Sequence, residues 1–251
     1  MAEDDAKSSG DLVRTWVDGQ VAYVQLNRPY KANSYTQTML DALGRLVDGI
    51  CEDGNARVLV VCGAGNRAFC GGADLNEMRK QDYRSALDLK SARVFARIAS
   101  LPKVTLAAVN GAAVGGGFEL ALACDIRIAS EHARFSFPEP ALGLIPAAGG
   151  TQRLPWVVGL ARAKELILGG GVLEAQAALR YGLVSEVVKH EDLLSAAQRW
   201  GEQIARRDPL ALRLAKKALD RESAEGVGYD FELLAQALLY RLKSERWQDA
   251  Q

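Results

Sequence analysis

Two glutamates in apolar surroundings are the residues best suited to chemistry in this sequence. Glu119 follows a run of glycines in an otherwise apolar stretch, and Glu139 lies in the Pro-rich segment 137–146. A buried carboxylate is costly unless it has a partner or a function. Two carboxylates in settings of low polarity are typical of a general acid–base pair with separated pKa values. The alternative is a pair of buried salt bridges to Arg134 and Arg153, and the residues alone favour neither interpretation.

Two glycine-rich turns, at residues 68–75 and 110–120, each end at a predicted helix. The first N–H groups of a helix lack partners within the helix, and its dipole is positive at that end. Two such ends aimed at one point would form an oxyanion site, in which a side chain at Gly116 would block the approach of a bound carbonyl. Taken alone, either turn favours the alternative, a tight turn for close packing of helix on strand.

A third glycine turn, residues 63–68, follows an apolar strand and matches the relaxed G-x-G-x-x-A pattern of dinucleotide-binding proteins. In those proteins the last residue of the pattern already lies in a helix. Here Gly71 and Gly72 delay the helix start to Asp74. The sequence therefore disfavours a nucleotide site at this turn.

The composition limits the classes of partner. The chain has 251 residues, of which 49% are hydrophobic and 25% charged, as in globular domains. Its 31 basic and 31 acidic residues cancel, so neither nucleic acid nor an anionic membrane is the expected partner, whereas a small anionic molecule is allowed. Four cysteines without CxxC spacing and two histidines do not predict a zinc site.

The amino-terminal residues 1–10 are acidic and polar and predict a disordered leader rather than a signal peptide. The sequence contains no apolar run of the roughly 20 residues that a membrane-spanning helix needs. A cytoplasmic location is therefore expected.

The elements that must position the chemical residues repeat in the order strand, glycine loop, helix, which predicts an α/β fold. Asp18-Gly19 predicts a hairpin between strands 12–17 and 21–27. Ser34 and Gln37 form a capping box before a helix with apolar residues at i+3 and i+4 spacing. The further predicted strands are 57–62, 104–109, 125–129, 134–137 and 183–188, and the further predicted helices are 75–100 and 118–124.

Three amphipathic helices are expected to complete the chain. Asp192 is the predicted cap of the first, and Asp208-Pro209 opens the second. The third spans 231–247 and carries an apolar stripe formed by Phe231, Leu234, Leu238 and Leu242. Because monomers rarely expose so large a patch, the stripe predicts docking on the core or on another subunit.

Taken together, the chain resembles the crotonase, or enoyl-CoA hydratase/isomerase, superfamily from about residue 11 to about residue 245. The matching segments are Leu26-Asn27-Arg28-Pro29, 68–74, Gly115-Gly116-Gly117-Phe118-Glu119, Pro138-Glu139 and Gly149-Gly150-Thr151-Gln152-Arg153-Leu154. The resemblance implies an α/β spiral of ββα units with a C-terminal helical oligomerisation region. It places the spiral core with the active site at 11–190 and the helical region, packing on the core and on neighbouring subunits, at 191–251.

The resemblance also implies a site. The oxyanion donors fall on the backbone N–H groups of Ala73 and Gly116. Glu119 matches the residue that activates water, and its place at a helix start favours the ionised form. Glu139 matches the residue that exchanges the α-carbon proton. The expected substrate- and coenzyme A-binding residues are Arg28, Lys31, Ala32, Gly71, Asp74, Leu75, Phe118, Leu142 and Ala147.

The expected reaction is reversible syn addition of water to a 2-enoyl-CoA thioester, without a metal or redox cofactor. The expected assembly is a homotrimer or a dimer of trimers. Two alternatives stay open. The same site could serve another reaction of the family, such as double-bond isomerisation, hydrolysis or decarboxylation, or the chain could bind coenzyme A thioesters without catalysis.

Overall fold

The structure is a computed structural model that describes residues 12–78 and 89–220. The strands in these residues are β1 Val13–Asp18, β2 Val21–Leu26, β3 Val58–Gly63, β4 Ala68–Cys70, β5 Val104–Val109, β6 Ala112–Val114, β7 Ile126–Ser130, β8 Arg134–Ser136, β9 Leu173–Glu174 and β10 Glu186–Val188. The α-helices are α1 Gln37–Glu52, α2 Leu75–Met78, α3 Lys90–Ala99, α4 Gly116–Ala123, α5 Gly150–Val158, α6 Leu160–Leu168, α7 Ala175–Arg180, α8 Leu193–Ala205 and α9 Pro209–Leu219.

The larger sheet has the strand order β1-β2-β3-β5-β7-β10. Strands β1 and β2 pair antiparallel, and the remaining neighbours pair parallel. The predicted hairpin is confirmed, with Gly19 at φ +58°, a left-handed conformation that glycine adopts readily. Strands β3 and β5 are almost entirely buried, as their apolar runs predict.

The smaller sheet has the order β4-β6-β8-β9 and explains the repeat in the sequence. Each long strand β3, β5 and β7 of the larger sheet is followed by a short strand β4, β6 or β8 of the smaller sheet. After β4 and β6 the chain enters helices α2 and α4. The predicted α/β architecture of ββα units is therefore confirmed.

Apolar side chains cover both faces of the larger sheet. Helix α1 buries Met39, Leu40, Leu43, Val47 and Ile50, as the periodicity predicts. On the opposite face, Leu193, Ala197 and Ile204 of α8 join the cluster that contains Val21, Tyr23, Val58 and Val60. The described part of the C-terminal helical region thus packs on the core.

Within the described residues, the structure contains some of the predicted helix caps and lacks others. The capping box is wrong, because α1 begins later and Thr36, not Ser34, accepts the N–H of Met39 at 3.2 Å. Asp208 caps α9 as predicted and accepts two backbone N–H groups. Asp192 occupies the N-cap position of α8, but its side chain makes no capping hydrogen bond.

Three predicted features lie wholly or partly outside the described residues: the leader 1–10, the middle of the helix expected at 75–100, and the stripe Phe231, Leu234, Leu238 and Leu242. The continuous helix expected at 75–100 is wrong, because Leu89 is extended and caps a separate helix, α3; helix α2 covers the beginning of the predicted stretch. The boundaries 11–190 and 191–251 stay predictions. None of the helices described here is long and apolar enough to cross a membrane.

Candidate active site

The amino-terminal turn of α4 packs closely against β4 and against the side chain of Glu139. Gly115, which precedes the helix, has φ +54° and ψ −124°, a conformation that other residues rarely adopt. A Cβ atom on Gly115 would lie 2.5 Å from Oε1 of Glu139, and one on Gly117 would lie 2.0 Å from the carbonyl oxygen of Cys70. The glycines therefore allow the helix start to approach both β4 and the second glutamate.

Glu119 lies in the first turn of α4 and is 3% exposed. Its Oε1 atom accepts the N–H of Ala148 at 2.7 Å and the N–H of Gly150 at 2.8 Å. Burial outweighs these two hydrogen bonds and raises the pKa of Glu119 from 4.5 to about 7. The helix start was expected to favour the ionised form, but desolvation decides the direction of the shift.

Glu139 begins the short 3-10 helix Glu139–Leu142. Its Oε2 atom is buried and has no hydrogen-bond partner among the described residues. Burial raises the pKa of this carboxyl above its ordinary value. The N–H of Gly115 donates to the carbonyl of Ser136 at 2.9 Å, so the two glutamate-bearing segments are joined directly.

The salt-bridge alternative does not describe the two glutamates. Arg134 pairs with Glu174 at 3.1 Å on the surface. The Nη1 atom of Arg153 donates to the carbonyl of Ala148 at 3.0 Å, so this guanidinium supports the loop that holds Glu119. Within the described residues, neither arginine forms an ion pair with Glu119 or Glu139.

The structure places the segments that carry the two expected oxyanion donors side by side. The N–H of Tyr35 donates to the carbonyl of Gly72 at 2.8 Å, and the N–H of Asp74 donates to the carbonyl of Tyr35 at 2.9 Å. Ala73 stands between these two bonds in a parallel bridge, so its own N–H points away from Tyr35. A Cβ on Gly72, which has φ +87°, would lie 3.4 Å from the nitrogen of Gly116.

The residues expected to contact coenzyme A form one loop cluster. The N–H of Gly71 donates to the carbonyl of Ala32 at 2.8 Å, and Arg28 forms a 2.7 Å salt bridge with Asp74. This pair ties the two loops together. Lys31, Ala32 and Leu75 are exposed beside it.

The residues expected near the acyl group differ in exposure. Phe118 is fully buried and stacks on Phe137 at 4.6 Å between ring centroids, so its ring lies in the core. Leu142 is 57% exposed, and Ala147 is exposed in the loop before Ala148. The binding roles of all these residues stay predictions.

Two asparagines that the sequence analysis did not single out hold the glycine turn 63–68. The Nδ2 atom of Asn33 donates to the carbonyls of Ala64 at 2.9 Å and Ala68 at 2.7 Å. That of Asn110 donates to the carbonyls of Gly65 at 2.8 Å and Ala68 at 3.1 Å. The turn runs from β3 into β4 and not into a helix, unlike a dinucleotide-binding turn. Asn110 directly precedes Gly111, which is the signal that could have found it, whereas no signal in the sequence marks Asn33.

Within residues 12–78 and 89–220, His, Cys, Asp and Glu side chains form no group of three or more that could hold a metal ion.

Comparisons with known proteins place this geometry in context. The enoyl-CoA hydratase/isomerase family model matches residues 17–246. A short-chain-enoyl-CoA hydratase of Clostridium acetobutylicum is 39% identical over 206 residues, 81% of this chain and 79% of that protein. A 2,3-dehydroadipyl-CoA hydratase of Escherichia coli is 41% identical over 206 residues, 82% and 80% of the two chains. The crystal structure of an enoyl-CoA hydratase from Bacillus anthracis superposes with a TM-score of 0.87 at 37% identity, covering 95% of this chain and 97% of that one.

Proposed function

The chain belongs to the enoyl-CoA hydratase/isomerase family, and from that premise we propose that it adds water reversibly, with syn geometry, to the double bond of a 2-enoyl-CoA thioester. The observation that carries the proposal is the convergence of two carboxylates, the buried Glu119 and the half-buried Glu139, beside the turns of Ala73 and Gly116. Glu119 has a fixed orientation, and the buried Oε2 of Glu139 has no partner in the described residues.

The backbone N–H groups of Ala73 and Gly116 form the proposed oxyanion hole. When hydroxide adds to the β-carbon, the π electrons of the double bond move toward the thioester oxygen and an enolate forms. Two N–H donors stabilise that charge, and one such donor typically contributes about 3–4 kcal/mol. The proposed step changes no net oxidation state, so it requires no redox cofactor, and no metal takes part.

The two glutamates divide the proton transfers. Glu119 takes a proton from water as the oxygen attacks the β-carbon, and a protonated Glu139 gives its proton to the α-carbon as the enolate collapses. General acid–base steps of this kind contribute about 10²–10⁴ in rate each. The pKa of about 7 lets Glu119 act as a base near neutral pH, and the raised pKa of Glu139 suits an acid.

The experiment that tests the proposal compares Glu119→Gln with wild type on a 2-enoyl-CoA and a 3-enoyl-CoA. Glutamine keeps an oxygen for the N–H groups of Ala148 and Gly150 but cannot accept the proton of water. We expect hydration to fall by about 10²–10⁴ while thioester affinity is retained. Glu131→Gln, on the exposed Glu131, is the matched control and should hydrate normally. Undiminished hydration by Glu119→Gln would overturn the role of Glu119.

The same assay separates the alternatives. A shifted double bond as the main wild-type product would favour an isomerase, because one carboxylate suffices to shuttle that proton. Free coenzyme A would indicate hydrolysis, and binding of the thioester without turnover would indicate a binding protein. The presence of Glu119 as a second carboxylate favours hydration over isomerisation.

We also infer a homotrimer or a dimer of trimers, as the resemblance implies. The described part of the chain supports association through exposed apolar side chains on and after α5 and α6, since monomers rarely expose many in one region. These are Trp156 at 74% exposure, Leu160 at 60%, Leu168 at 73% and Val172 at 58%. Sedimentation at micromolar concentration tests the assembly, and a species of 27.1 kDa would contradict it.

A further inference from the structure

Tyr35 lies within the site, although its position in the sequence gave it no role. It is 7% exposed, and its ring packs edge-on against Phe95 of α3 at 5.8 Å between centroids. Its hydroxyl group is hydrogen-bonded to the hydroxyl of Ser91, on the same helix. Two side chains of α3 therefore hold the ring and the hydroxyl of Tyr35, and the proposed reaction does not use this residue.

Tyr35 contacts both halves of the oxyanion hole. Its backbone holds Gly72 and Asp74, the neighbours of Ala73, through the two hydrogen bonds of the parallel bridge. Its side chain reaches the other half, since a Cβ atom on Gly116 would lie 2.1 Å from the phenol oxygen and 2.9 Å from Cζ. The space that a side chain would need at position 116 is thus occupied by the Tyr35 hydroxyl.

The Tyr35 hydroxyl stays protonated and uncharged in these surroundings. Burial, together with the nearby Cys70, Glu119 and Glu139, raises the pKa of Tyr35, so the phenol keeps its proton across the working range of an enzyme. The hydrogen bond with Ser91 opposes this shift without reversing it. A neutral phenol beside the helix start adds no charge that would compete with a developing enolate.

We propose that Tyr35 is a positioning residue, whose hydroxyl holds Gly116 at the distance from Ala73 at which both N–H groups meet one thioester oxygen. The inference rests on the proposed function, because it assumes that these two groups bind the thioester. Without the hydroxyl, a gap opens beside Gly116 and the first turn of α4 can shift. A misplacement of 1 Å can lower the rate of an enzyme by about 10²-fold.

The test compares Tyr35→Phe with Tyr23→Phe. Tyr23 is also buried, at 3% exposure, and its hydroxyl donates to Gln198 at 2.6 Å on the far face of the sheet. The main readout is the infrared C=O stretch of a saturated acyl-CoA carrying ¹³C at the thioester carbon. This probe cannot be hydrated, so it reports polarisation of the carbonyl independently of water addition. Hydration by wild type is measured separately and tests the proposed function alone.

For Tyr35→Phe we expect a smaller low-frequency shift of the bound C=O stretch, kcat lower by roughly 10-fold and KM within about twofold of wild type. Tyr23→Phe should leave all three unchanged. A wild-type C=O shift in Tyr35→Phe would overturn the proposal, even if its melting temperature were lower. An equal loss of the C=O shift in Tyr35→Phe and Tyr23→Phe would also overturn the proposal.

A double-mutant cycle provides a second, independent test. Gly116→Ala alone places a methyl group against the Tyr35 oxygen. In the Tyr35→Phe background the contact with the oxygen is gone, and the nearest ring carbons would lie 2.9 and 3.0 Å from the methyl group. Because the clash is smaller, the double variant should melt at a higher temperature than Gly116→Ala and bind the acyl-CoA more tightly. Additive losses from the two substitutions would show that the hydroxyl does not hold Gly116, and would overturn the proposal.

Discussion

The two glutamates belong to regions that are built in different ways. Every residue of α4 is buried, and Glu119 is held there by two backbone N–H groups. The segment that carries Glu139 runs along the surface, with Leu142 57% exposed and Ile145 68% exposed. The difference fits the proposed roles, in which Glu119 orients a molecule of water and Glu139 donates a proton to the α-carbon.

The different surroundings of Glu119 and Glu139 also explain the pKa shifts of their carboxyl groups. Burial raises the pKa of both carboxyls, but at Glu119 two hydrogen bonds oppose it, whereas at Glu139 no other residue of 12–78 and 89–220 provides such a donor. The charge of Glu139 further raises the pKa of Glu119. The two carboxyls are therefore electrostatically coupled, and protonation of Glu139 makes Glu119 easier to ionise.

The largest expected effect comes from removing the proposed proton donor, Glu139. Glu139→Gln should lower hydration by about 10³-fold and lose exchange of the α-carbon proton to the same extent, since both depend on one carboxyl. Deuterium incorporation at the α-carbon of the product thioester measures the exchange. Exchange at a near-native rate in this variant would show that the α-carbon proton comes from another group and that Glu139 does not have the role proposed for it.

A smaller effect is expected at the point where the two regions meet. Gly115→Ala forces a Cβ atom toward Oε1 of Glu139, at 2.5 Å, and strains a backbone with φ +54°. Gly159→Ala imposes strain of the same kind, at φ +80°, with no atom within 4 Å of the new methyl group.

Both variants should lose about 1–3 kcal/mol of stability from backbone strain. Only Gly115→Ala should also have a lower kcat for hydration, by roughly 10²-fold, because the new methyl group displaces the carboxylate of Glu139. Denaturant unfolding and kcat, measured on both proteins, separate the two effects. Equal activity in the two variants would contradict the close approach of Glu139 to the start of α4.

The smallest expected effect is a gain in the stability of Glu119→Gln that depends on pH. The pKa of Glu119 is about 7 in the folded protein against an ordinary 4.5, so above pH 7 the folded state carries a buried charge that the unfolded chain solvates freely. Glu119→Gln should therefore unfold with a free energy about 1–3 kcal/mol higher near pH 8. The difference should shrink as the pH falls through 7 and vanish below 4.5, where both states bind the proton.

Urea unfolding of Glu119→Gln and of the exposed control Glu131→Gln at several pH values measures this difference. A stability gain that did not change with pH would indicate a packing effect of the glutamine and not the removal of a buried charge.

Periodicity and turn chemistry predict much of this fold. Asp18-Gly19 fixes a hairpin because the turn depends on a left-handed residue, and Asp208 caps α9 because its side chain binds nearby N–H groups. The capping box at Ser34 fails for a local reason. The segment before α1 first forms a 3-10 helix and a bridge to Ala73, so the helix starts later and Thr36 becomes its cap.

The site was less predictable, because its geometry comes from contacts between distant segments. The sequence indicates two carboxylates, but the donors to Glu119 lie 29 and 31 residues further along the chain. The direction of its pKa shift depends on burial, which the helix position alone does not reveal. Tyr35 and Asn33 carry no motif and are identified only when the loops are assembled.

The separation between Glu119 and its donors has a consequence for biosynthesis. Proteins are translated from the amino terminus at roughly 5–20 residues per second, so Ala148 and Gly150 follow Glu119 by about 2–6 seconds. During that interval the nascent chain contains α4 without the groups that satisfy its carboxylate. A chain that ended before residue 148 would lack both donors, so burial of α4 would deprive the Glu119 carboxylate of the two hydrogen bonds that offset its desolvation.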